Sequence, residues 1–453
     1  MGVGSEPSTT DPDRRGLDRR LGERRLGRTR FKVLVLGSGG REHVLFWKLR
    51  QSPMIDAIYA APGNGASHAL GTAITIDPTD VSEVLGLVHE KDIDLCVIGP
   101  DDAVAAGVAD ALETSGRLVF GPTSAAGRIE SSKAFAKEVM DGAGVPTAAY
   151  WVFDDRHRAR AHASAAGVGL VVKADGLALG KGVTVCDSVD ETLSAIDRAM
   201  AQEAFGEAGR RIILEERLSG HEVSLMCLCD GSIAVPMAPA RDYKRALDGD
   251  RGPNTGGMGA YSPPSDAGAE VIERIRRECA QPVVTELARR GLPYRGCLYT
   301  QVMLTDAGPK VIEFNARFGD PEAQCVLPRL AGDLLEPLLA SARGDLSGVT
   351  LDWSPRPTVG VVLASGGYPG RYRSGKVIDG LDTLDEDVLA FHAGTQHTSH
   401  GYVTSGGRVL TVVAPGDTVA EARARAYENV RRVSFDGSFH RTDIAAMELE
   451  EVG

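Results

Sequence analysis

The first third of the chain alternates short apolar runs with amphipathic stretches. The run 31–37 is apolar and rich in β-branched residues and ends in glycine, which predicts a buried strand. Similar runs predict strands at 57–61, 95–98 and 118–120, and the stretches between them predict helices at 42–50, 80–90 and 103–115. Strand–helix alternation at this spacing is typical of a parallel, doubly wound sheet.

The pattern changes after a predicted helix at 131–142. Closely spaced apolar runs predict strands of antiparallel type at 170–173, 182–185, 211–215, 222–229 and 297–304, with one helix at 271–290. Residues 243–261 are rich in Gly and Asp and are predicted to form a long loop, and such loops inside domains are usually functional or disordered. After a Pro-rich stretch at 347–357, strands predicted at 358–364, 388–392 and 408–414 indicate a small β-rich domain.

These elements divide the chain into an extension and three domains. We expect an N-terminal α/β domain at 31–130, a central region at 131–346 and a C-terminal domain at 347–453. The central region is expected to contain a small lid subdomain at about 150–217 and a larger subdomain at about 218–346. The extension, residues 1–30, mixes Arg with Asp, Glu and Gly and lacks the apolar core of a secretory signal. We expect it to be disordered, or to reflect a start site placed too far upstream, and to have no catalytic role.

Composition excludes several classes of protein. The net charge of −12 provides no global basic field for nucleic acid, although anionic small substrates need only a local cluster of cations. Seven cysteines without a CxxC pair favour a reducing, cytoplasmic environment and buried free thiols. No apolar run approaches the ~18 residues of a membrane-spanning helix.

The densest chemistry follows an apolar stretch at 311–312. Glu313 and Asn315 are two residues apart, so in a strand both side chains leave the same face. A carboxylate and an amide oxygen form a clamp suited to Mg²⁺, which completes its shell with water and substrate phosphates. Arg317, Asp320 and Glu322 add charge on the loop that follows. The alternative is a solvated run of charges, which packing alone explains poorly.

A glycine-rich turn follows the first predicted strand. Gly37, Gly39, Gly40, Arg41 and Glu42 lie between that strand and a helix, where backbone N–H groups and the helix N-terminus favour an anion. A dinucleotide site would also require an acid at the end of the second strand, and residues 60–64 contain none. We therefore favour a single phosphate-bearing ligand over NAD. The alternative is an ordinary polar first turn.

A second glycine-rich segment joins two predicted strands. It begins at Lys173, carries Gly176, Gly180 and Lys181, and ends at Gly182. This arrangement suits a hairpin lid whose amides and lysines close over polyphosphate. It is not a P-loop, because no helix follows the lysine and the GK[ST] spacing is absent. An ordinary glycine-rich hairpin is the alternative.

Three weaker candidates remain. Glu215, Glu216 and Leu218 follow an apolar strand and are interpreted as an adenine-binding edge, or simply as solvated residues. The segment 241–259 collects cations beside an acid and several glycine amides, and we favour substrate binding over a plain surface loop. Lys133 is either a phosphate contact or a surface lysine.

The ordered set of motifs resembles a known family over about residues 31–444. The motifs are VLVLGSGGREH, FGPT, KADGLALGKGV, DYKRALDGDRGPNTGGMGAYSP, VIEFNARFGDPEAQ and ASGGYPG. Together they resemble the ATP-grasp ligases, and within them the phosphoribosylamine–glycine ligases of purine biosynthesis. The resemblance implies an α/β fold with an N-terminal doubly wound parallel-sheet domain that binds phosphoribosylamine, ATP-grasp α+β domains, and a small β-rich C-terminal domain.

The resemblance also implies roles for the matching residues. Glu313 and Asn315 would bind Mg²⁺ or Mn²⁺, and Asp242, Arg317 and Asp320 would be catalytic. The residues expected to contact ATP are Lys133, Lys173, Gly176, Gly180, Lys181, Gly182, Glu215, Glu216, Leu218 and Glu222. The residues expected to contact the other substrates are Gly37, Gly39, Gly40, Arg41, Glu42, Lys244, Arg245, Asn254, Thr255, Gly256 and Met258.

Three positions depart from the family pattern. Asp101 stands where the family often has Glu, Arg241 where it often has Gln, and His221 where it often has an acid. The last two leave individual ligand contacts open, but not the reaction.

The implied reaction uses ATP to phosphorylate the glycine carboxylate, after which the amine of 5-phosphoribosylamine attacks the acyl carbon and releases phosphate. Such chemistry depends mostly on positioning and on stabilising phosphoryl charge, and a lid would protect the acyl phosphate from water. The resemblance implies ATP, glycine and 5-phosphoribosylamine as substrates, and we expect a cytoplasmic monomer without nucleic-acid or membrane partners.

Three alternatives stay open at this point. One is another ATP-grasp ligase or carboxylase, such as a biotin-dependent carboxylase half, against which the segment from Asp242 to Tyr261 speaks. The second is a nicotinamide-dependent oxidoreductase, which lacks support without the ribose-binding acid. The third is a non-catalytic nucleotide-binding regulator, which would be expected to lose the metal pair or the lid lysines.

Overall fold

The computed structural model describes residues 29–176, 182–202 and 204–450. Residues 1–28 of the predicted extension lie outside the described residues, as do Gly180 and Lys181 of the predicted lid. Among the described helices, none combines the length and the apolar character needed to cross a bilayer.

Five parallel strands form the sheet of the N-terminal domain, which confirms the doubly wound prediction. Their spatial order is Thr72–Ala73, Ile55–Pro62, Phe31–Gly37, Leu95–Ile98 and Leu118–Phe120. Along the central strand, Val33 and Val35 belong to one core cluster while Leu34 and Leu36 belong to another. A strand buried on both faces has to be apolar at successive positions, which explains the uninterrupted apolar run from Val33 to Leu36. The helices of this domain are Gly40–Leu49, Ser67–Leu70, Val81–Lys91, Asp101–Ala105, Val108–Thr114 and Ser124–Ser131.

Two predicted helices are each divided by a local backbone signal. The helix predicted at 103–115 is two helices, because Gly107 adopts a φ of +80° and breaks the run between them. The helix predicted at 131–142 begins instead at Lys133, after Ser132, whose extended backbone separates it from the preceding helix. The Ser132 hydroxyl accepts a hydrogen bond from the Phe135 N–H at 3.2 Å and so caps the helix Lys133–Ala143.

The central region contains two antiparallel sheets. The smaller one has the order Tyr150–Phe153, Ile212–Glu215, Val171–Ala174 and Val183–Val185, with the helices Arg156–Ala166 and Val189–Met200 packed against it. The larger one has the order Ala234–Pro236, His221–Asp230, Arg295–Thr305 and Gly308–Asn315. The helix predicted at 271–290 spans Ala269–Ile275, a π-helical turn at Arg276–Ala280, and Gln281–Arg289. The short helices Glu322–Val326 and Leu335–Arg343 complete the region.

The segment predicted as one long loop at 243–261 is partly regular. It contains a two-stranded hairpin, Arg245–Leu247 with Arg251–Asn254, and the strand Gly259–Ser262. Glycines in this segment mark its turns rather than an absence of structure, as at Gly252, whose φ is +81°.

The C-terminal sheet includes strands from the central region. Its order is Arg241–Asp242, Gly259–Ser262, Thr358–Ala364, Arg408–Pro415 and Leu389–His392, so residues far apart in sequence share one ladder. A separate hairpin, Thr395–Thr398 with Gly401–Thr404, and the helices Val419–Val430 and Met447–Glu450 complete this part. The β-rich prediction is confirmed, and the shared sheet brings the C-terminal domain against the segment 241–262.

Candidate active site

One cavity of about 520 Å³ lies where the three parts of the chain meet. It is lined by residues from the N-terminal domain, both central sheets and the C-terminal domain. The predicted site residues that line it are Arg41, Lys133, Lys173, Gly176, Gly182, Glu215, Asp242, Lys244, Thr255, Gly256, Glu313, Asn315, Arg317 and Asp320. The structure therefore brings together motifs that are up to about 280 residues apart in sequence.

Glu313 and Asn315 end the strand Gly308–Asn315, and both side chains line the cavity. Burial alone would raise the pKa of the Glu313 carboxyl, but nearby cations, with Lys133 foremost, more than offset this and hold it below its ordinary value. The nearby cations therefore favour the ionised carboxylate although the residue is partly buried. Among the described residues, no group of three or more His, Cys, Asp or Glu side chains is arranged for a metal. The pair fits a hard cation that takes most of its ligands from water and phosphate.

A carboxylate between two lysines lies close to this pair. Glu215 receives the ammonium of Lys137 at 3.1 Å and that of Lys173 at 2.9 Å, and all three side chains are buried. Lys173 also donates to the Ile312 carbonyl at 2.9 Å, next to Glu313 in the chain. Burial lowers the pKa of Lys137 to about 8, and Glu215 partly offsets this effect. The arrangement retains buried cations where a polyphosphate would need them.

Arg317 and Asp320 lie on the loop that follows the metal-type pair. The Arg317 guanidinium lies 3.1 Å from the Glu130 carboxylate and donates to the Asn315 amide oxygen at 3.2 Å. Asp320 accepts from the Gln324 amide at 2.7 Å and is partly buried, which would raise its pKa. Neighbouring arginines instead hold that pKa below its ordinary value, so Asp320 is a carboxylate in a cationic surrounding.

A second acidic group surrounds Lys244. Its ammonium lies 2.9 Å from Asp242, and burial would lower its pKa, but the carboxylates around it raise the pKa above its ordinary value. Glu322 faces the same part of the cavity and accepts a hydrogen bond from the Tyr299 hydroxyl at 2.6 Å. Tyr299 and Ser224 also hydrogen-bond to each other at 2.7 Å. Burial, assisted by the Asp242 carboxylate, raises the pKa of Glu322 to about 7.

The glycine-rich turn of the N-terminal domain reaches the cavity through Arg41. The carboxylate of Glu42 is hydrogen-bonded within the turn: one oxygen accepts from the Gly39 N–H at 2.7 Å and the other from the Arg41 side chain at 2.6 Å. Gly37 has a φ of +115°, and a Cβ there would lie 2.6 Å from the Glu42 side chain. These residues shape the turn, whereas Arg41 presents its guanidinium to the cavity and contacts the Phe318 carbonyl at 3.4 Å.

The structure does not bring every predicted residue to the cavity wall. Glu216 accepts from the Ala149 N–H and pairs with Lys310, and Met258 is fully buried. Asn254 donates to the Val183 carbonyl of the lid sheet at 3.4 Å. The predicted residues that are absent from the lining are Gly37, Gly39, Gly40, Glu42, Glu216, Leu218, Glu222, Arg245, Asn254 and Met258. Any part that they have in ligand binding remains a prediction.

Two of the departures from the family pattern converge on one acid outside the cavity. Arg241 donates two hydrogen bonds to Asp266, at 2.7 and 2.6 Å, and one to the Tyr261 hydroxyl. His221 contacts the same carboxylate through Nδ1 at 3.0 Å. The two residues therefore belong to a local ion-pair cluster, and neither lines the cavity.

Several cavity residues were missed by sequence reasoning. Lys137 is one helical turn after Lys133, so the 3.6-residue period could have identified it. Tyr299 and Arg408 carry no local signal, because they are brought to the cavity by strand pairing and by the C-terminal domain. Tyr368 lies in the motif ASGGYPG but is not assigned a contact there. Glu322 was noted only as a charge on the loop.

Most of the chain is similar in sequence to proteins of one known family. Family models described as phosphoribosylglycinamide synthetase match in order: the N domain over 31–130, the ATP-grasp (A) domain over 131–323 and the C domain over 358–447. A phosphoribosylamine–glycine ligase of Mesorhizobium japonicum is 46% identical over 413 residues, which cover 91% of this chain and 97% of the relative. One from Yersinia pestis is 45% identical over 417 residues, with the same coverage of both chains.

Solved structures show the same relationship. The crystal structure of a phosphoribosylamine–glycine ligase from Thermotoga maritima superposes with a TM-score of 0.80 at 34% identity, covering 91% of this chain and all of that one. The biotin carboxylase domain of the Hydrogenobacter thermophilus 2-oxoglutarate carboxylase superposes with a TM-score of 0.69 at 16% identity, covering 90% and 91%, and shares the fold alone. Matches over nearly the whole length of the relatives imply the phosphoribosylamine–glycine ligase step of purine biosynthesis. The chain belongs to the phosphoribosylamine–glycine ligase family and is an enzyme of that family, a ligase with the ATP-grasp fold.

Proposed function

We propose that this cavity joins glycine to 5-phosphoribosylamine in two steps with a glycyl phosphate intermediate. The observation that carries the proposal is the division of the cavity into two charged halves. One half holds the lysines around Glu215 beside Glu313 and Asn315. The other half holds Asp242, Lys244 and Glu322. Phosphoryl transfer to a carboxylate requires such adjacent sites, one for polyphosphate and one for the acceptor.

In the first step, the γ-phosphate of ATP is transferred to the carboxylate oxygen of glycine, and ADP leaves. Lys173 and Lys133 would neutralise the phosphates, and Arg317 would face the transferred group. Glu313 and Asn315 would hold Mg²⁺ or Mn²⁺, which supplies charge neutralisation at the phosphates when bound. The cavity wall around Lys244 carries more carboxylates than that one lysine neutralises, which favours the ammonium group of glycine beside Asp242 and Glu322.

In the second step, the amine of 5-phosphoribosylamine attacks the acyl carbon and inorganic phosphate leaves. Arg41 at the glycine-rich turn supports binding of an anionic sugar phosphate on the N-terminal side of the cavity. The predicted lid between Lys173 and Gly182 includes residues 177–181, which lie outside the described part of the chain, so its closure stays a prediction. We also propose a cytoplasmic enzyme, because seven buried free cysteines fit a reducing compartment. The expectation of a monomer stays a prediction, which sedimentation would test.

The proposal is tested by coupled phosphate release. With Mg²⁺, ATP and glycine, phosphate should be released at a sustained rate only when 5-phosphoribosylamine is supplied. Alanine in place of glycine should support little turnover, and equal rates with both amino acids would refute the specificity.

The role of Glu313 is tested by Glu313→Ala. Its turnover should fall at least ~100-fold, because Glu313 is the one carboxylate of the two proposed metal ligands and Asn315 alone carries no charge. Its thermal midpoint should change little. Glu428→Ala, at an exposed ion pair with Arg432 in the C-terminal domain, is the matched control and should keep normal turnover. Unchanged turnover of Glu313→Ala would reject the metal assignment.

A further inference from the structure

The C-terminal domain places one arginine, Arg408, inside the cavity. It is the first residue of the strand Arg408–Pro415, and its side chain is 21% exposed. Its Nη1 donates to the Gly256 carbonyl at 2.7 Å and to the Asp320 carbonyl at 2.8 Å, and its Nη2 lies 3.1 Å from the Asp320 carboxylate. One guanidinium therefore joins a strand of the C-terminal domain to two separate segments of the central region.

Gly256 is held by the C-terminal domain on both sides of its backbone. Its N–H donates to the Tyr368 hydroxyl at 3.0 Å, and its carbonyl accepts from Arg408. A Cβ at this position would lie 3.0 Å from the Arg408 guanidinium carbon, so a larger residue would push the guanidinium away by a few tenths of an ångström. The turn that contains Gly256 follows the hairpin strand Arg251–Asn254, and Gly256 itself lines the cavity.

Asp320 depends on the same arginine. Its side chain is 12% exposed, and this partial burial would raise its pKa, but Arg408 is the foremost of the cations that lower it. The remaining carboxylate oxygen accepts from Gln324 at 2.7 Å. Removing the guanidinium would leave the largely buried Asp320 carboxylate without this ion pair, and the Gly256 and Asp320 carbonyls without their common donor. The loop that carries Asp320 and the turn that carries Gly256 would then no longer be held at a fixed distance from each other.

We propose that Arg408 is a positioning residue that fixes Asp320 and the Gly256 turn against each other, so that the acceptor half of the cavity forms only with the C-terminal domain docked. The proposal rests on the proposed function in that this half is where glycine and the acyl phosphate bind. It assigns the C-terminal domain a part in the chemistry beyond closing the fold. The lysines around Glu215 share no contact with Arg408, so the ATP half should be independent of it.

The test compares Arg408→Met and Arg408→Lys with Arg423→Met. Arg423 is a matched control, because it is also an arginine of the C-terminal domain that donates to two backbone carbonyls, those of Ile444 and Thr442, outside the cavity. Arg408→Met should lower kcat by about 10- to 100-fold while the KM for ATP changes less than about twofold. Arg408→Lys should recover part of kcat, because an ammonium keeps the charge but not the fork that spans several acceptors. Arg423→Met should keep kcat within about twofold.

A second readout needs no substrate and separates this proposal from the proposed function. Exchange of the Gly256 N–H, which donates to the Tyr368 hydroxyl, should be at least about tenfold faster in Arg408→Met than in the wild type, because the turn loses its anchor at the carbonyl, with Arg423→Met unchanged. Gly256→Ala should move both readouts in the same direction but less far, because its methyl group would lie 3.0 Å from the guanidinium carbon and shift it slightly. Unchanged exchange in Arg408→Met would overturn the proposal whatever the enzyme's reaction proves to be. Equal losses of kcat in Arg408→Met and Arg423→Met would overturn it as well, since they would show a general structural effect. Failure of the wild type to use glycine would refute the proposed function and leave the exchange test intact.

Discussion

Replacing Glu322 by Gln is expected to stabilise the protein at neutral and alkaline pH. The Glu322 side chain is 3% exposed, and burial together with the Asp242 carboxylate raises its pKa to about 7. Gln has nearly the same shape and keeps an acceptor for the Tyr299 hydroxyl, but it has no charge to desolvate. The substitution therefore removes the cost of ionising a buried carboxyl group.

The sign and size follow from proton binding. The ordinary pKa of Glu322 is 4.5, so between about pH 4.5 and about pH 7 the folded state holds more protons than the unfolded state. Wild-type stability therefore falls as pH rises through this window. At about 1.4 kcal/mol for each pH unit, the loss is on the order of 3 kcal/mol at pH values above about 7. At the acid end of the window both side chains are neutral, and the two proteins should be about equally stable.

Urea unfolding midpoints of the wild type and Glu322→Gln, measured without ligands from about pH 5 to about pH 8, check this expectation. The advantage of the variant should grow with pH. At the same time its KM for glycine should rise at least about tenfold, because an amide offers no charge to the ammonium group. Glu428→Gln is the control, since its partly exposed carboxylate should shift stability by less than about 0.5 kcal/mol. A stability difference that does not change with pH would refute the reasoning.

Two further substitutions test other parts of the site. Glu215→Gln should weaken ATP binding at least about tenfold and lower the thermal midpoint, because the positive charges of Lys137 and Lys173 lose the carboxylate that pairs with them. Calorimetric titration with ATP measures the affinity, and a thermal scan measures the midpoint. Wild-type affinity would show that these lysines need no such partner. Arg241→Gln should destabilise the protein by about 1–3 kcal/mol through the loss of its bonds to Asp266, yet leave every KM within about twofold, because Arg241 lies outside the cavity. A large change in the KM for glycine would contradict that placement.

Much of the N-terminal domain could be predicted from local patterns. Its strands Phe31–Gly37 and Leu95–Ile98 are buried on both faces over most of their length, so their apolar runs are nearly continuous and the predicted boundaries match the observed ones. The errors arose where one backbone conformation outweighed periodicity. Gly107, with its positive φ, divides a helix that the apolar pattern continues, and Ser132 ends one helix in order to cap the next. Glycine and serine also occur inside helices, so only the backbone conformation shows that Gly107 interrupts one helix and that Ser132 caps another.

The site was predictable where its chemistry is contiguous in sequence. Glu313 and Asn315 share a strand, and strand geometry alone places them on one face. Lys173 and Glu215 were both expected near the nucleotide, but their 2.9 Å ion pair depends on antiparallel pairing of their strands. The pairing of distant segments is not visible in local periodicity, because register is chosen by the whole buried surface.

The sequence by itself determined the alternation of strands and helices, the residue types of the metal-type clamp and the glycine-rich turns, because these depend on side chains a few positions apart. Only the tertiary structure decided that the segment 241–262 pairs with the C-terminal sheet, that Glu322 is buried beside Asp242, and that Arg408 reaches Asp320. Burial and long-range ion pairs are properties of the packed chain, since both the desolvation of a charge and the distance to its partner exist only after distant segments have met.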